Sequence, residues 1–400
     1  MNMIDARELL NRANDLKNYT AEILSRLVSI RSLSGAEREI VLFLREEFSR
    51  CGADSVEIDR FGNVVARIGS GKPIIAFDAH LDTVDIGESS LWRFDPFGGK
   101  IGGGKVWGRG ASDQKGGMAA MLAGLRLLSA LKDRLRATVY MIGSVLEEDC
   151  DGLCWRFLID KYGLRPDFVV LTEPTDGNIN RGQRGRMEIE VIARGVSCHG
   201  SAPERGDSAI YKIAPIIEAL RRLNDRLPED PFLGKGSIAL SRLRSSSPSL
   251  CAVADMAAVY IDRRLTAGEI PESATEQIAM LDEVMAASAE VVIPQFDGPS
   301  WNDYKLPVPK VFPAWVLPEN HPLAEKACRC FETLFDKKPK LSKWTFSTNG
   351  VATMGMFGIP TIGYGPGRES LAHAPNEFVE IDDLVRCSAY YAMLPWFLRD

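Results

Sequence analysis

Ile74-Ile75-Ala76-Phe77-Asp78-Ala79-His80-Leu81-Asp82 is an apolar run of strand character that ends in a histidine and an aspartate two positions apart. Continuous apolar strands belong to parallel sheets covered on both faces, and open sheets of that kind bind ligands beyond the carboxyl ends of their strands. His80 therefore stands where a crevice forms. Its imidazole can serve a metal, and Asp82 can hold or polarise the ring from behind. An isolated histidine at a strand end is ordinarily just a hydrogen-bonded polar residue; the residues downstream reverse that preference. The chain has only His80, His199, His321 and His373 as histidines, so few metal-binding sets can be assembled.

The opening pattern recurs. Residues 137–145 form a second apolar run, ending in Leu146-Glu147-Glu148-Asp149, and 167–171 a third, ending in Thr172-Glu173-Pro174. Shorter strands are expected over 55–59 and 64–68, and another near 361–363 leads through Gly365-Pro366-Gly367 to Ala372-His373-Ala374-Pro375-Asn376-Glu377. Between strands the apolar spacing is helical. Ser34-Gly35-Ala36-Glu37 has the form of a capping box, and Met118, Met121, Leu122, Leu125 and Leu128 stripe one helix face. Helices are also expected over 324–335 and 381–397. Strands alternating with helices predict a mostly parallel sheet, with His80, Glu147, Glu148 and Glu173 along one edge. Each acid alone reads as a solvated loop residue; three at the same topological position do not.

Asp113 lies in Val106-Trp107-Gly108-Arg109-Gly110-Ala111-Ser112-Asp113-Gln114-Lys115-Gly116-Gly117, just before the striped helix. An aspartate there usually caps the helix. The alternative is a carboxylate aimed into the same crevice, with glycines allowing close backbone approach. A phosphate loop fails on spacing, since neither GxxxxGK[ST] nor GxGxxG can be read here.

From residue 187 the texture changes. Strands over 187–194, 236–243, 251–265 and 289–296, with helices over 207–226 and 273–285, follow the order βαββαβ of a ferredoxin-like unit. In the first of those helices Ile210, Ile213, Ile217 and Leu220 are the expected buried face. The fold class is thus α/β, a mostly parallel-sheet domain (1–183 and 299–400) with an inserted ferredoxin-like domain (184–298). A net charge of -6 leaves no electrostatic footprint for nucleic acid or anionic membrane. No apolar stretch spans a bilayer, and the N-terminal residues lack the pattern of a signal peptide, so a cytoplasmic protein is expected. Eight cysteines without a CxxC pair read as reduced thiols, and Cys198 beside His199 points away from it in extended chain.

Two imidazoles (His80, His373) and four carboxylates (Asp113, Glu147, Glu148, Glu173) then share one sheet edge. A mixed nitrogen and oxygen set suits zinc, cobalt or manganese, and a carboxylate can bridge two ions. Adjacent glutamates face different ways, so one can ligate while the other takes a proton from water.

In combination these motifs resemble the zinc-dependent M20 peptidase and deacylase family, which includes succinyl-diaminopimelate desuccinylase, acetylornithine deacetylase and a glutamate carboxypeptidase. The motifs are His80-x-Asp82, Gly108-x-Gly110-x-x-Asp113, Glu147-Glu148, Glu173 and His373-x-x-Asn376-Glu377. Through Ser347-Thr348-Asn349-Gly350 and its surroundings, the chain is also similar to a subgroup of selenium-metabolism-linked hydrolases. The resemblance implies a dimetal hydrolase of small amides whose inserted domain is a lid and dimerisation domain. It implies that Asp113 bridges two ions, most simply Zn2+ with Co2+ or Mn2+ as alternatives. His80 and Glu173 complete one site, Glu148 and His373 the other. Glu147 is the implied general base and Asp82 the residue that orients His80, and the Asp113–Gln114 peptide is implied to be cis. His199 is implied to reach the partner subunit's active site to stabilise an oxyanion, hence a homodimer through the lid. Arg264 is implied to grip a substrate carboxylate. Two departures fall near the substrate side: Cys251 stands where several members have asparagine, and Asn349 where many have aspartate. His321 matches nothing in the pattern and reads as a surface residue. The implied reaction is hydrolysis of an N-acyl amino acid or dipeptide; rivals are an N-carbamoyl amino acid amidohydrolase and a non-catalytic metal-binding protein. A nucleotide-binding α/β protein is disfavoured by the missing phosphate motifs.

Overall fold

The computed structural model describes residues 5–399. The chain divides into two compact units. The first comprises the residues up to Gly182, Gly298–Leu306 and those from Val316 onward; the second comprises Gln183–Asp297 and Pro307–Trp315.

The first unit is built on a nine-stranded sheet. Its centre is four parallel strands in the order Thr138–Ser144, Ile74–His80, Phe168–Leu171, Thr361–Gly363. Ser55–Ile58 and Val64–Gly69 extend one side antiparallel, and Ile179–Gln183 the other. The central strands are the apolar runs of the sequence, and six of seven positions in Ile74–His80 are buried. Helix Lys115–Ser129 packs on that strand, and Ile381–Leu398 packs on the helix. Gly124 makes the second contact close: a Cβ there would lie 3.2 Å from the Ser388 carbonyl and 3.3 Å from the Tyr391 Cβ.

Parallel register fixes what stands at the edge. His80 pairs with Ser144, and both Asp78 and Gly363 pair with Leu171. The segments leaving these strands therefore deliver His80, Glu147, Glu148, Glu173 and the approach to His373 to one side of the sheet.

Ser34 and Glu37 do not form the expected capping box. Helix Arg38–Arg50 has no side-chain cap. Instead the Ser34 hydroxyl donates to Asp82 Oδ2 at 2.7 Å, and Glu37 Oε1 accepts from the Leu146 N–H at 2.9 Å. Both residues buttress the sheet edge, a contact no local pattern signals.

The second unit is an antiparallel sheet in the order Ser237–Ser246, Met256–Leu265, Gly185–Arg194, Glu290–Val292. That order, with helices Ala209–Asp225 and Pro271–Ala279, is the ferredoxin-like arrangement. Alternation places Met187, Ile189 and Val191 of one strand and Ala257, Val259 and Ile261 of its neighbour in a core closed by Ile213, Ile216 and Leu220. Two expectations are corrected. Ile210, assigned to the buried face, is 46% exposed. Pro307–Trp315, assigned to the larger domain, belongs to this unit because Val311 and Phe312 pair with Met187 and Arg186 at the sheet edge. Flanking prolines hid that short strand, as prolines confined to sheet edges do.

Candidate metal centre

The His80 ring is pinned by its own neighbour. Nδ1 lies 2.9 Å from the Asp82 carbonyl and 3.5 Å from its carboxylate. In that bond Nδ1–H donates to the Asp82 carbonyl, which turns Nε2 to the crevice. Nε2 stands 3.0 Å from Asp113 Oδ1, 3.7 Å from Glu173 Oε1 and 4.0 Å from Glu147 Oε2. On the far side of Asp113, Oδ2 lies 3.5 Å from His373 Nε2, which is 2.9 Å from Glu148 Oε2. One carboxylate thus faces two imidazoles, each with a glutamate beside it. Asp113 is not a side-chain cap; it precedes helix Lys115–Ser129 across a cis peptide to Gln114.

Asp82 also sets the glutamate pair. Its carboxylate accepts the Glu147 N–H at 3.2 Å and the Glu148 N–H at 3.0 Å. With Leu146 in a left-handed conformation (φ 65°), held through its N–H by Glu37, the turn after the strand is fixed at three successive amides. Such a conformation persists in a non-glycine residue only where its surroundings over-determine it.

Electrostatically the cluster is overloaded with negative charge. Burial, then neighbouring carboxylates, pushes Glu147 and Glu173 well above the ordinary range despite the opposing pull of His80. Glu148 is raised by burial and by Asp113. Burial alone would lower His80, but Glu173, Asp113, Asp82 and Glu147 outweigh it and hold the ring well above its usual value. Buried oxygens Glu147 Oε1, Glu148 Oε1 and Glu173 Oε2 accept no hydrogen bond. Orphaned buried carboxylate oxygens are costly, and cations remove the cost. His80, Glu147 and Glu173 form one set, and His80, Asp113 and Glu148 another, with ligand atoms within 4.8 Å of one another. Nitrogen and oxygen donors, excess negative charge and lone pairs without partners fit divalent ions of the zinc type.

The other expected site residues stand as follows. Asn349, expected on the substrate side, is 1% exposed and saturated. Its amide donates to Asp78 Oδ2 and Ser144 Oγ, and its carbonyl accepts from Gly152 N and Cys154 Sγ. It is a buried tie between strand and turn, with no group left for a ligand. In the second unit, Arg264 forms a bidentate pair with Asp262 at 2.8 and 2.9 Å. His199 is exposed, and its Nδ1 accepts the Ser201 N–H at 3.2 Å. The neutral ring therefore carries its proton on Nε2. His321 accepts from Leu323 N as the cap of helix Pro322–Phe335. All eight cysteines are free thiols. Sequence patterns do not single out the contacts that Ser34 and Glu37 make here, nor those of Arg109 and Glu377, which lie inside quoted motifs and are marked only by their burial.

The sequence model of peptidase family M20/M25/M40 matches residues 76–395. The chain belongs to this family. Among curated relatives, the uncharacterized protein YgeY of Escherichia coli (strain K12) is 48% identical over 387 residues, 97% of this chain and 96% of that protein. A probable succinyl-diaminopimelate desuccinylase of Staphylococcus aureus (strain Mu50 / ATCC 700699) is 31% identical over 194 residues, 47% of this chain and 48% of that one. Among solved structures, aminopeptidase PepT of Bacillus cereus superposes with a TM-score of 0.72 at 20% identity, covering 96% of this chain and 99% of PepT. Human carnosine dipeptidase 1 gives 0.71 at 16% identity, with 98% of each chain covered. Membership makes this M20-family chain a metallohydrolase by family, and the fold expected from its motifs is the family's. No helix among the described residues is long and apolar enough to cross a membrane.

Proposed function

We propose that this chain is a two-metal amidohydrolase that cleaves a small N-acyl amino acid or dipeptide, with Glu147 as general base. The observation that carries the reading is Asp113 between His80 and His373, 3.0 and 3.5 Å away, with Glu173 and Glu148 beside the two rings. His80, Asp113, Glu148, Glu173 and His373 would hold the ions; Zn2+ is the first choice and Co2+ or Mn2+ the alternatives. When bound, such a pair supplies Lewis acidity, polarising a carbonyl oxygen and lowering the pKa of water. Glu147 Oε1, buried and without a partner, takes a proton from water and returns it to the leaving nitrogen. Asp82 keeps the His80 lone pair on the crevice side. Arg264 is the proposed grip for a substrate carboxylate, exchanging its pairing with Asp262 for the ligand. The name of the desuccinylase relative supports a small amide as the substrate class.

The test is a panel of N-acetyl, N-succinyl and N-carbamoyl amino acids and dipeptides, each with zinc, cobalt or manganese. Turnover of one amide class and its loss with chelator is expected. Hydrolysis of carbamoyl substrates alone would make the chain a carbamoylase, and ion binding without turnover a non-catalytic metal protein.

The same reading includes a homodimer through the second unit. Among the described residues, Ser237–Ser246 is a ten-residue edge strand paired only with Met256–Leu265. It exposes Leu240 at 39% and Leu243 at 60%, and the helix behind it exposes Tyr211 at 82%. A long edge with exposed apolar side chains is a template for pairing with another chain. His199, with its proton on Nε2, is the proposed oxyanion donor to the partner. Chains carrying His199→Ala and chains carrying Glu147→Ala are each expected to be inactive and to regain turnover when co-expressed. Failure of the mixture, with dimers seen by sedimentation, would remove His199 from the partner's site.

A further inference from the structure

Glu377 is fully buried, yet it is a carboxylate with four donors. Oε1 accepts the N–H of Ser112 at 2.7 Å and of Asp113 at 2.9 Å. Oε2 accepts the Gly110 N–H at 3.0 Å and the Arg109 guanidinium at 2.8 Å. Arg109, 2% exposed, spends its remaining reach on the other segment of the centre. It donates to the carbonyls of His373 at 3.2 Å and Ala374 at 3.4 Å. One ion pair therefore clamps the loop that ends in Asp113 to the loop that carries His373, across 264 positions of sequence. His373 needs such a clamp. It sits in an irregular loop in a left-handed conformation (φ 59°), and its side chain is 54% exposed. A weaker second tie joins the same loops through Ser112 Oγ and the Arg368 backbone, at 3.1 and 3.2 Å.

The other half of the centre is held differently. His80 is the last residue of one parallel strand, and Glu173 follows the neighbouring strand to which it is hydrogen-bonded. The sheet and Asp82 fix those two ligands without help from Glu377.

We propose that the Arg109–Glu377 pair is a positioning device that sets His373 against Asp113, and so governs the ion on the His373–Glu148 side more than the ion on the His80–Glu173 side, which it reaches only through Asp113. This rests on reading the centre as a two-ion site, and not on the identity of the substrate. Neither residue touches an ion or a substrate; both act through the backbone of the ligand loops.

Two variants separate the pair's parts. Glu377→Gln keeps shape but presents an amide N–H to Arg109 or Gly110, donor against donor. Arg109→Lys keeps the buried charge pair but loses the fork that reaches two carbonyls as well as Glu377. Equilibrium dialysis of each metal-free protein against Zn2+, with circular dichroism as the folding check, reads the ions one at a time. The wild type is expected to take two ions per chain. Each variant should bind one ion about 10–100-fold more weakly, the range seen for residues that orient metal ligands, and the other with a clearly smaller loss. Raising Zn2+ should then restore the second ion. If Glu377→Gln fails to fold, Arg109→Lys alone decides. Equal weakening of both ions would reduce the pair to general scaffolding, and unchanged affinities or a single ion in the wild type would overturn the proposal. A wild type that binds two ions but cleaves none of the amides would refute the proposed reaction and leave this inference intact.

Discussion

Replacing Glu147 with glutamine is expected to leave both ions in place and to lower kcat by about 10²–10⁴-fold, the usual contribution of a positioned acid–base group. The retention of metal is the sharper half. Of the acids around His80 Nε2, Glu147 is the most distant at 4.0 Å, against 3.0 Å for Asp113 and 3.7 Å for Glu173. It is also 5% exposed, with Oε1 lacking any hydrogen-bond partner. Burial and the charges of Asp151, Glu173 and Glu148 raise its affinity for a proton, the property a base needs at neutral pH. Substitution there does not free Glu148, because Asp82 holds the two backbone N–H groups separately. Ion content by mass spectrometry of the native protein, with steady-state rates on the best amide of the panel, settles both halves. Loss of an ion in Glu147→Gln would make Glu147 a ligand, and unchanged kcat would leave the reaction without its base.

His80, Glu147 and Glu173 are legible because they stand at or just beyond the ends of strands. An apolar run stopping at His80, Glu147 or Glu173 is a one-dimensional signal, and parallel register turns three such endings into one edge. What could not be read is what holds the edge in place. Ser34 and Glu37 fit a helix-capping pattern, yet Ser34 bonds Asp82, 48 positions away, and Glu37 bonds Leu146, 109 positions away. Competition between a local cap and a distant acceptor is decided by tertiary burial, which no window of sequence contains. Asn349 illustrates the opposite error. Its place in a motif suggested a ligand contact, while its four partners come from three separate strands and turns. In the second unit alternation located the strands' share of the core, but helical spacing set Ile210 on the buried face of its helix, where it is 46% exposed.

Stripped of metal, the protein is expected to lose stability as pH rises from 4.5 to about 7, whereas most proteins are most stable across that range. The sign follows from the buried acids. Glu37, raised to about 8 by burial and the Asp82 charge, keeps its proton in the folded chain after an unfolded chain has released it. Glu147, Glu148 and Glu173 are raised for the same reason, and His80 holds its proton beyond its ordinary value. Wherever the folded state binds more protons than the unfolded state, stability falls with pH. The groups shifted the other way act outside the window. Asp82 and Asp113 are lowered and matter only below their ordinary 3.8, while Lys115, lowered to about 7 by burial, contributes an opposite slope only above that value. Zinc reverses the trend, because its ligands must shed those protons to bind, so affinity climbs over the same window. A ligand of the folded state at a thousand times its Kd adds about 4 kcal/mol. Melting curves with Zn2+ and with chelator should therefore diverge from the acid end of the window to the neutral end, the chelated curve falling. A metal-free Tm that rises toward neutrality would mean that these carboxylates are already neutralised by the protein itself, and that the centre was not built for cations.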